Sequence, residues 1–451
     1  MADNRPISYN HDGSEPGASP ASGFSLLGVS QVLVEALAAG GIAEPFPIQT
    51  ATVPDALAGR DILGRGRTGS GKTVAFVLPV IARLAARHRR AAGGRPRALI
   101  LAPTRELARQ IHQVIQPLAA SVGLEATTVF GGVPLRPQVN ALRRGVDIVV
   151  ACPGRLEDHL RSGICRLSDV EITVLDEADH MADLGFLPAV RRILDQTPPN
   201  SQRLLFSATL DGAVDVLVRR YLSNPAVHHV DDQGGPTPEM AHHVVHLATA
   251  NRLSALVELT AAPGRQVVFT RTKHRARLLT AQLVAAGVPA VEMHGNLTQS
   301  ARIRNLDAFS SGQASVLVAT DIAARGLHVD DVELVIHADP PVEHKTYLHR
   351  SGRTGRAGAS GTVVILATED QRAEVATLGR RAGVTPAITQ HRPGQASLRH
   401  ILVAPTGPAS GGPAGDQPPA SPSPAIDRAE RNRRRASRIT ARARDGRIRT
   451  A

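Results

Sequence analysis

A glycine-rich loop at residues 66–73, with the sequence GRTGSGKT, matches the pattern G-x-x-x-x-G-K-[ST]. Glycines let backbone N–H groups turn toward phosphate oxygens, and a helix beginning near Lys72 adds its positive end. The Lys72 ammonium suits the β- and γ-phosphates of a nucleotide, and the Thr73 hydroxyl suits Mg²⁺. A chance glycine-rich turn is the alternative, but the helical apolar pattern that follows favours a nucleotide site. The predicted phosphate contacts are Thr68, Gly69, Ser70, Gly71, Lys72 and Thr73.

Acidic residues follow a short apolar segment, residues 172–175, that has the character of a buried strand. A carboxylate at the end of such a strand can hold Mg²⁺ through water, and its neighbour can orient an attacking water. We expect Asp176 to take the first role and Glu177 the second. An acidic turn at a strand end is commonplace, but its position after a phosphate loop favours the functional interpretation.

A second cluster, residues 349–356 with the sequence HRSGRTGR, lies hundreds of residues beyond the loop. Arg353 and Arg356 are three residues apart, which predicts that a helix presents both to a single anionic target. A solvated basic helix is the alternative, but the interleaved glycines are poor choices for an ordinary surface helix. The chain must fold back for these arginines to reach the nucleotide, so nucleotide binding and loss could close and open two domains.

The elements that must position these residues alternate between short apolar runs and amphipathic stretches. This alternation is typical of a parallel sheet wrapped by helices, and it occurs in two successive series. Ser30 can cap a first helix that runs through Leu37 and stops at Gly40. The predicted strands are residues 98–102, 147–151, 172–175 and 203–206 in the first series, and 266–269, 315–319, 334–337 and 362–365 in the second.

Composition shifts divide the chain into an α/β pair of lobes with extensions. A polar segment rich in Gly and Pro separates the two series, and a Pro/Gly/Ser-rich stretch follows the second. We predict a disordered extension at 1–23, a first lobe at 24–230, a linker at 231–244, a second lobe at 245–395 and a disordered tail at 396–451.

The totals exclude several classes of protein. The chain of 451 residues has a formal net charge of +12, which favours a polyanionic partner. Two cysteines form no disulfide framework or zinc ligand set, and no apolar run is long enough to cross a bilayer. The beginning of the sequence lacks the pattern of a signal peptide. We therefore expect a soluble, cytoplasmic protein.

Further motifs occur in a characteristic order and spacing. Besides the loop and the acidic turn, they are Phe24 with residues 41–49, and residues 103–108, 131–132, 153–155, 207–209, 267–270, 294–302, 319–326 and 349–358. With these motifs the chain resembles the DEAD-box ATP-dependent RNA helicases. The resemblance covers about residues 24–370 and implies two tandem RecA-like parallel-sheet lobes that bind ATP, Mg²⁺ and RNA.

The resemblance implies a role for each matching residue. Gln49 would bond the adenine edge with Phe24 packed nearby, Asp321 and Gly326 would lie near the nucleotide, and Arg353 and Arg356 would reach the γ-phosphate. The implied RNA contacts are Arg105, Gly132, Arg155, His294, Gly295, Arg302 and Thr320. The implied couplers of ATP state to strand separation are Asp179, Ser207, Thr209 and His349.

These expectations converge on an RNA-dependent ATPase that grips the RNA backbone and locally unwinds short duplexes or remodels RNA and RNA–protein complexes. Aromatic residues make up only 2% of the chain, so base stacking is scarce and sequence-independent backbone recognition is expected. Two alternatives stay open: a DNA translocase of the same superfamily, and a non-enzymatic RNA-binding scaffold.

Two features fall outside the pattern that the resemblance supplies. Cys152, Asn296, His328 and the pair His337-Ala338 replace residues that are frequent in the family, which puts RNA affinity and coupling between the lobes in question. The stretch 427–451 carries ten arginines against three acidic residues. Such a tail is interpreted as an auxiliary RNA anchor, with a solubilising end as the alternative.

Overall fold

The computed structural model describes residues 23–66, 69–210, 212–230, 240–324, 332–355, 360–391, 398 and 401. These residues form two parallel sheets of seven strands each, which define a first and a second lobe. The two predicted series of strands and the α/β class are thereby confirmed. We find no helix among the described residues that combines the length and the hydrophobicity needed to cross a membrane.

The first lobe alternates strands and helices along the chain, and every strand pairing in its sheet is parallel. Its strands are β1 (Ile62–Arg65), β2 (Ala98–Leu101), β3 (Ala126–Val129), β4 (Ile148–Ala151), β5 (Ile172–Leu175), β6 (Gln202–Ser207) and β7 (Ala226–His229). Its helices are α1 (Gly23–Leu26), α2 (Gln31–Ala39), α3 (Pro47–Leu57), α4 (Lys72–Ala85), α5 (Arg105–Ser121), α6 (Leu135–Arg144), α7 (Pro153–Arg161), α8 (Ala178–Asp183), α9 (Leu187–Leu194) and α10 (Gly212–Tyr221).

The second lobe repeats this plan. Its strands are β8 (Met240–His246), β9 (Arg265–Thr270), β10 (Ala290–Met293), β11 (Val316–Thr320), β12 (Val332–His337), β13 (Gly361–Ala367) and β14 (Ala387–Gln390). Its α-helices are α11 (Arg252–Thr260), α12 (Lys273–Ala285), α13 (Gln299–Ser310), α14 (Asp321–Ala324), α15 (His344–Ser351) and α16 (Arg372–Ala382). Short 3₁₀ turns at Thr249–Asn251 and Glu369–Gln371 precede α11 and α16.

Burial on both faces explains why the central strands are continuous apolar runs. Side chains alternate across a strand, so Ala98 and Ile100 pack into one hydrophobic cluster while Leu99 and Leu101 pack into another on the opposite face. The strands that the sequence did not predict include β3, β10 and β14, whose side chains are mostly half-buried or exposed. Such strands lack the uninterrupted apolar run that marks a buried one.

The strand order of the first sheet brings the segments with predicted chemical roles together at the carboxyl ends of its strands. The order in the first lobe is β3-β4-β2-β5-β6-β1-β7, and in the second it is β10-β11-β9-β12-β13-β8-β14. In the first lobe the phosphate loop follows β1, the acidic turn follows β5, and Ser207 ends β6. Because β5, β6 and β1 are neighbours, these three segments meet at the carboxyl edge of the sheet.

Three predicted boundaries differ from the structure. Strand β8 begins at Met240, inside the range predicted as linker, because its residues pair with β13 in the second sheet. Leu398 and Ile401 are buried in the second core, although the tail was predicted from residue 396. Helix α2 begins after Ser30 as predicted, but it extends to Ala39 and the Ser30 side chain makes no capping bond. Residues 1–22, 231–239 and 402–451 lie outside the described residues.

Candidate nucleotide and RNA site

The phosphate loop is shaped by left-handed glycines and by the helix that follows it. Gly69 and Gly71 have φ values of 88° and 86°, a conformation that other residues adopt only with strain. A Cβ atom at Gly71 would come within 2.5 Å of Gln49 Nε2, so the loop also requires glycine for space. Helix α4 starts at Lys72, as predicted, and directs its positive end at the loop.

The polar groups of this loop fit a polyphosphate. The buried Ser70 hydroxyl oxygen has no hydrogen-bond partner among the described residues, as expected of a group that serves a ligand. The Lys72 ammonium donates to the Gly66 carbonyl at 2.7 Å, which fixes it across the mouth of the loop. Burial lowers the pKa of Lys72, against the raising effect of Asp176 and Glu177. Thr73 opens the same helix, and Thr68 lies outside the described residues.

Asp176 and Glu177 follow β5, and their negative charges act on Lys72 of this loop. Burial, then the neighbouring Glu177 carboxylate, raises the pKa of Asp176 to about 7, and Lys72 opposes the rise. The Glu177 N–H donates to Asp176 Oδ1 at 3.0 Å. The buried Asp176 carboxylate, close enough to act on the charge of Lys72, offers the oxygen donors that Mg²⁺ prefers. No cluster of three His, Cys, Asp or Glu residues that could hold a metal ion occurs within the described ranges.

Glu177 is held in an unusual conformation. Its φ of 50° and ψ of 54° are left-handed for a non-glycine residue, at the start of α8, and such strain is concentrated at functional sites. Its Oε2 lies 3.0 Å from His180 Nδ1. Burial would raise the pKa of Glu177, but the His180 hydrogen bond, then the charges of His180, Arg353 and Lys72, hold it at about 2. Sequence reasoning missed His180, which only helical spacing of three residues could have indicated.

The acidic turn is bonded to the segment after β6. Asp179 Oδ2 accepts from the Thr209 N–H at 2.9 Å and from the Thr209 hydroxyl at 3.0 Å. Ser207 Oγ donates to the Thr209 carbonyl at 2.7 Å and accepts from the Asp179 N–H at 3.3 Å. The structure therefore joins three of the four predicted coupling residues into one network inside the first lobe.

The predicted adenine contacts serve structural roles in this conformation. Gln49 Oε1 accepts from the Phe46 N–H at 2.9 Å, and Gln49 Nε2 donates to the Gly71 carbonyl at 2.9 Å. Gln49 thus ties the start of α3 to the phosphate loop. Phe24 is completely buried in the first core, whereas Phe46 is 42% exposed beside Gly71. Phe46 is the aromatic surface that sequence reasoning did not single out, and the adenine contacts of Gln49 and Phe24 stay a prediction.

The arginine segment differs from its predicted geometry. Helix α15 ends at Ser351 with Gly352 as its C-cap, so Arg353 follows the helix instead of lying on it. Glycine is a poor helix former, and helical spacing was therefore the wrong basis for orienting Arg353. The buried Arg353 nevertheless acts electrostatically on Lys72 and Glu177 of the first lobe. Arg356 and Gly326 lie outside the described residues.

In the second lobe, Asp321 follows Thr320 at the end of β11 and is paired with Arg350. Arg350 Nη2 donates to Asp321 Oδ2 at 2.8 Å, and the guanidinium lies over the Phe269 ring at 5.1 Å. The carbonyl of His349 accepts from Arg353 Nε at 3.4 Å. Sequence reasoning had assigned no role to Arg350, although it lies between two residues that it singled out.

Three predicted RNA contacts of the first lobe follow β2, β3 and β4. Arg105 begins α5, and Gly132, with φ of 78°, leaves room for it: a Cβ atom there would lie 2.0 Å from Arg105 Nη1. Arg155 lies on α7, where its buried Nη1 has no hydrogen-bond partner among the described residues. An unpaired guanidinium nitrogen suits an anionic ligand.

Cys152 precedes α7 without capping it. Burial raises the pKa of its thiol to about 12, so it is not a reactive thiolate.

A buried cluster connects this part of the first lobe to α13 of the second. Glu106 Oε1 accepts from Arg302 Nε at 2.8 Å and from Gln299 Nε2 at 2.9 Å. Burial would raise the pKa of Glu106, but the hydrogen bond and charge of Arg302 outweigh it and lower the pKa. Gln299 Oε1 also accepts from Arg105 Nη1 at 3.3 Å. We call Arg105, Glu106, Gln299 and Arg302 the interlobe cluster.

The interlobe cluster changes the interpretation of Arg302, which in this conformation binds Glu106 and is little exposed; its RNA contact stays a prediction. The neighbouring His294 is also engaged, with Nε2 lying 3.1 Å from Glu292 Oε2, and Gly295 follows it. A peripheral ion pair, Arg109 with Asp307 at 3.0 Å, adds to the contact between the lobes. The sequence motifs contained Glu106, but only the fold could show its partner.

The comparisons with known proteins agree with this geometry. The DEAD/DEAH box helicase family model matches residues 46–216, and the helicase conserved C-terminal domain model matches residues 249–358. DEAD-box ATP-dependent RNA helicase 9, mitochondrial, from Arabidopsis thaliana is 38% identical over 427 residues, which are 90% of this chain and 69% of the relative. DEAD-box ATP-dependent RNA helicase 53 from Oryza sativa subsp. japonica is 39% identical over 377 residues, or 82% of this chain.

The chain spans only 62% of the length of the Oryza sativa relative. Among solved structures, S. cerevisiae Dbp5 bound to RNA and ADP BeF3 superimposes with a TM-score of 0.71 and 27% identity, covering 82% of this chain and 96% of that one. Fold, site geometry and sequence relatives thus lead to one conclusion: the chain belongs to the DEAD-box ATP-dependent RNA helicase family.

Proposed function

We propose that this chain is an RNA-dependent ATPase that closes two lobes over ATP and an RNA backbone, and so unwinds short duplexes or remodels RNA and RNA–protein complexes. The observation that carries the proposal is the convergence of both lobes on one site. Arg353 of the second lobe acts on Lys72 and Glu177 of the first, which no single-domain nucleotide site would require.

Each residue of the nucleotide site has a separate role in the proposed hydrolysis of ATP. Thr73 and Asp176 would hold Mg²⁺, which supplies charge neutralisation at the β- and γ-phosphate oxygens. Lys72 binds the same phosphates. Glu177 orients the attacking water and accepts its proton, and Arg353 stabilises the charge that develops on the transferred group. The low pKa of Glu177 keeps it ionised and able to accept a hydrogen bond from water.

RNA recognition through the backbone is supported by the residue types at the carboxyl edge. Arg105 and Arg155 lie there, and few aromatic side chains are available for stacking. The solved structure of S. cerevisiae Dbp5 contains bound RNA. We infer the same ligand class here, recognised largely without regard to base sequence.

Replacement of Glu177 by Gln tests the proposed reaction. The amide keeps the size of the side chain but cannot accept the water proton, so RNA-stimulated ATP turnover should fall roughly 10²- to 10⁴-fold. ATP and RNA binding should persist. Asp183→Asn, an equivalent change on the exposed face of α8, is the matched control and should retain turnover.

Wild-type turnover in the Glu177→Gln variant would remove Glu177 from its role. Parallel measurement of wild-type ATPase with RNA, with DNA and with neither strand identifies the activating polymer. Equal stimulation by DNA would favour a DNA translocase, and the absence of hydrolysis in single-turnover assays would favour a scaffold.

We propose that the arginine-rich tail, residues 427–451, is an auxiliary RNA anchor. The tail contains ten arginines and three acidic residues, and such an excess of positive charge favours binding to a polyanion through release of its counterions. Deletion of the tail should weaken RNA binding and flatten its dependence on salt. Unchanged affinity across a salt titration would contradict the proposal.

We propose that residues 41–49 form an adenine-reading Q motif. The contact of Gln49 with the phosphate loop and the exposed Phe46 ring support this proposal. Phe46→Ala should then raise the KM for ATP more than the KM for GTP.

We propose that the protein acts in the cytoplasm. Its two buried cysteines form no disulfide, which fits a reducing compartment. Imaging of a tagged chain in cells would test this location.

A further inference from the structure

Arg350 is a buried arginine that the reaction described above does not use. Its Nε and Nη2 donate to the two carboxylate oxygens of Asp321, at 2.5 and 2.8 Å. Its Nη1 donates to the Asp339 carbonyl at 3.0 Å and to His337 Nδ1 at 3.3 Å. Acceptors from the ends of β11 and β12 therefore fix the orientation of one guanidinium on α15, which stacks over Phe269.

His337 is the unusual member of this group. Its imidazole is completely buried and lies between the Phe269 ring, 6.0 Å away, and the Tyr347 ring, 5.1 Å away. A guanidinium nitrogen can only donate, so His337 Nδ1 must be the acceptor and the ring must be neutral with its proton on Nε2. Burial, followed by the charge of Arg350 and the effect of His242, lowers the pKa of His337 well below its ordinary value.

The second ring nitrogen of His337, Nε2, makes no hydrogen bond with the residues that the structure describes that could give the side chain another role. This nitrogen is buried and has no hydrogen-bond partner in the described part of the chain. The hydrogen bond that Nδ1 accepts from Arg350 is therefore the polar interaction of this side chain within the described ranges. The sequence departs here from the Asn that is frequent in the family, and an imidazole Nδ1 supplies a single acceptor where Asn would supply its amide oxygen.

Arg350 connects two segments that meet the nucleotide in the proposed function. Asp321 directly follows Thr320 and opens α14, while Arg353 follows the end of α15 by two residues. A rotation of Arg350 away from Asp321 would uncouple α15 from α14. One of the restraints on the position of Arg353, which acts on Lys72 and Glu177, would then be lost.

We propose that His337 is a positioning residue for ATP hydrolysis: its neutral ring holds Arg350 against Asp321 and thereby sets the place of Arg353. The inference rests on the proposed function. His337 touches neither substrate nor reacting atoms, so its removal should lower kcat while leaving the KM for ATP nearly unchanged.

Three substitutions of His337 separate the effect of its hydrogen-bond acceptor from that of its ring. His337→Phe keeps an aromatic ring but leaves an Arg350 N–H without an acceptor, and His337→Leu repeats that loss with a smaller side chain. His337→Asn removes the ring but retains an acceptor. Val335→Ala, a buried truncation on the same strand, is the control for lost packing.

The first measurement is RNA-stimulated ATPase, with kcat, KM and the thermal midpoint recorded for each variant. We expect kcat to fall about tenfold in the Phe and Leu variants and less than about threefold in the Asn variant, since acceptance of a hydrogen bond is restored. Val335→Ala should lower the midpoint without a comparable loss of kcat. Equal losses in the Asn and Phe variants, or in Val335→Ala, would overturn the inference.

The second measurement does not depend on hydrolysis. Limited trypsin digestion should cleave after Arg353 several times faster in His337→Phe than in the wild type or in Val335→Ala, because the turn is less restrained. Equal cleavage rates would refute the positioning role even if ATPase were present. A faster rate in the variant, with no RNA-stimulated ATPase in the wild type, would instead leave the positioning role standing and reject the proposed function.

Discussion

The two halves of the carboxyl edge of the first sheet are held in different ways. In the nucleotide half, beyond β5, β6 and β1, Asp179 bonds Thr209 and Lys72 bonds Gly66. These hydrogen bonds lie inside the first lobe, and the second lobe acts on this half through the charge of Arg353. In the RNA half, beyond β2, β3 and β4, two polar side chains reach across to the second lobe: Arg105 bonds Gln299 and Glu106 bonds Arg302.

The difference indicates how the two ligands would be coupled. A half that is bonded within its own lobe is preorganised and can bind nucleotide whether the lobes are open or closed. A half whose buried Glu106 carboxylate is paired with Arg302 of the other lobe is complete only on closure. RNA affinity should therefore report lobe closure, whereas basal nucleotide affinity should not.

The largest expected effect comes from breaking the buried pair of the interlobe cluster. The side chains of Glu106 and Arg302 are only 6% and 12% exposed, so Glu106→Gln leaves a buried cation without its counterion. Removal of one partner of a buried pair costs about 3 kcal/mol or more. RNA affinity measured in the presence of an ATP analogue should fall roughly 100-fold.

A double-mutant cycle provides the control for this pair. The combination of Glu106→Gln with Arg302→Gln removes both charges and should bind RNA better than Glu106→Gln alone. ATP affinity without RNA should stay within about twofold of the wild type, since the hydrogen bonds that hold the phosphate loop lie inside the first lobe. Additive losses in the double variant would contradict a direct pair.

A smaller loss is expected within the nucleotide half from Asp179→Asn. The carboxylate accepts from Thr209 through Oδ2 and from the His180 N–H through Oδ1, so either orientation of an amide turns its NH₂ against a donor. A buried hydrogen bond lost in this way costs about 1–3 kcal/mol. RNA-stimulated turnover should fall about 30-fold in steady-state assays with nucleotide affinity preserved, and a loss of affinity alone would refute the coupling role.

Gly132→Ala should have an intermediate effect confined to the RNA half. The backbone there is left-handed, and the added Cβ would collide with the Arg105 guanidinium. Displacement of Arg105 should weaken RNA binding by roughly 5- to 10-fold in fluorescence anisotropy. Gly123→Ala, which is also left-handed but has open space, is the control for strain alone. Equal losses in both variants would show that space near Arg105 is irrelevant.

The smallest effect is expected at the exposed ion pair between the lobes. Arg109 and Asp307 have side chains that are 30% and 59% exposed, and solvent screens such pairs. Arg109→Ala should change RNA affinity less than about threefold, as measured in the same anisotropy assay. A loss as large as that of Glu106→Gln would mean that closure depends on peripheral charge, contrary to the comparison.

Prediction from the sequence succeeded where the chemical group and its position are set by consecutive residues. Helix α4 starts at Lys72, and the central strands agree with the predicted runs within about two residues. It failed for Arg353, because a glycine ended the helix that was expected to orient it. It also failed for Leu398 and Ile401, which are buried although their surroundings have a composition typical of a tail.

The sequence alone determined the two α/β lobes and the phosphate loop, because apolar runs buried on both sheet faces and glycines in a tight turn are local signals. Only the tertiary structure decided which groups pair. Glu106 and Arg302 are separated by 196 positions, and Asp321 and Arg350 by 29, so no local pattern records their contact. Their pairing follows from the order of strands in each sheet and from the approach of one lobe to the other.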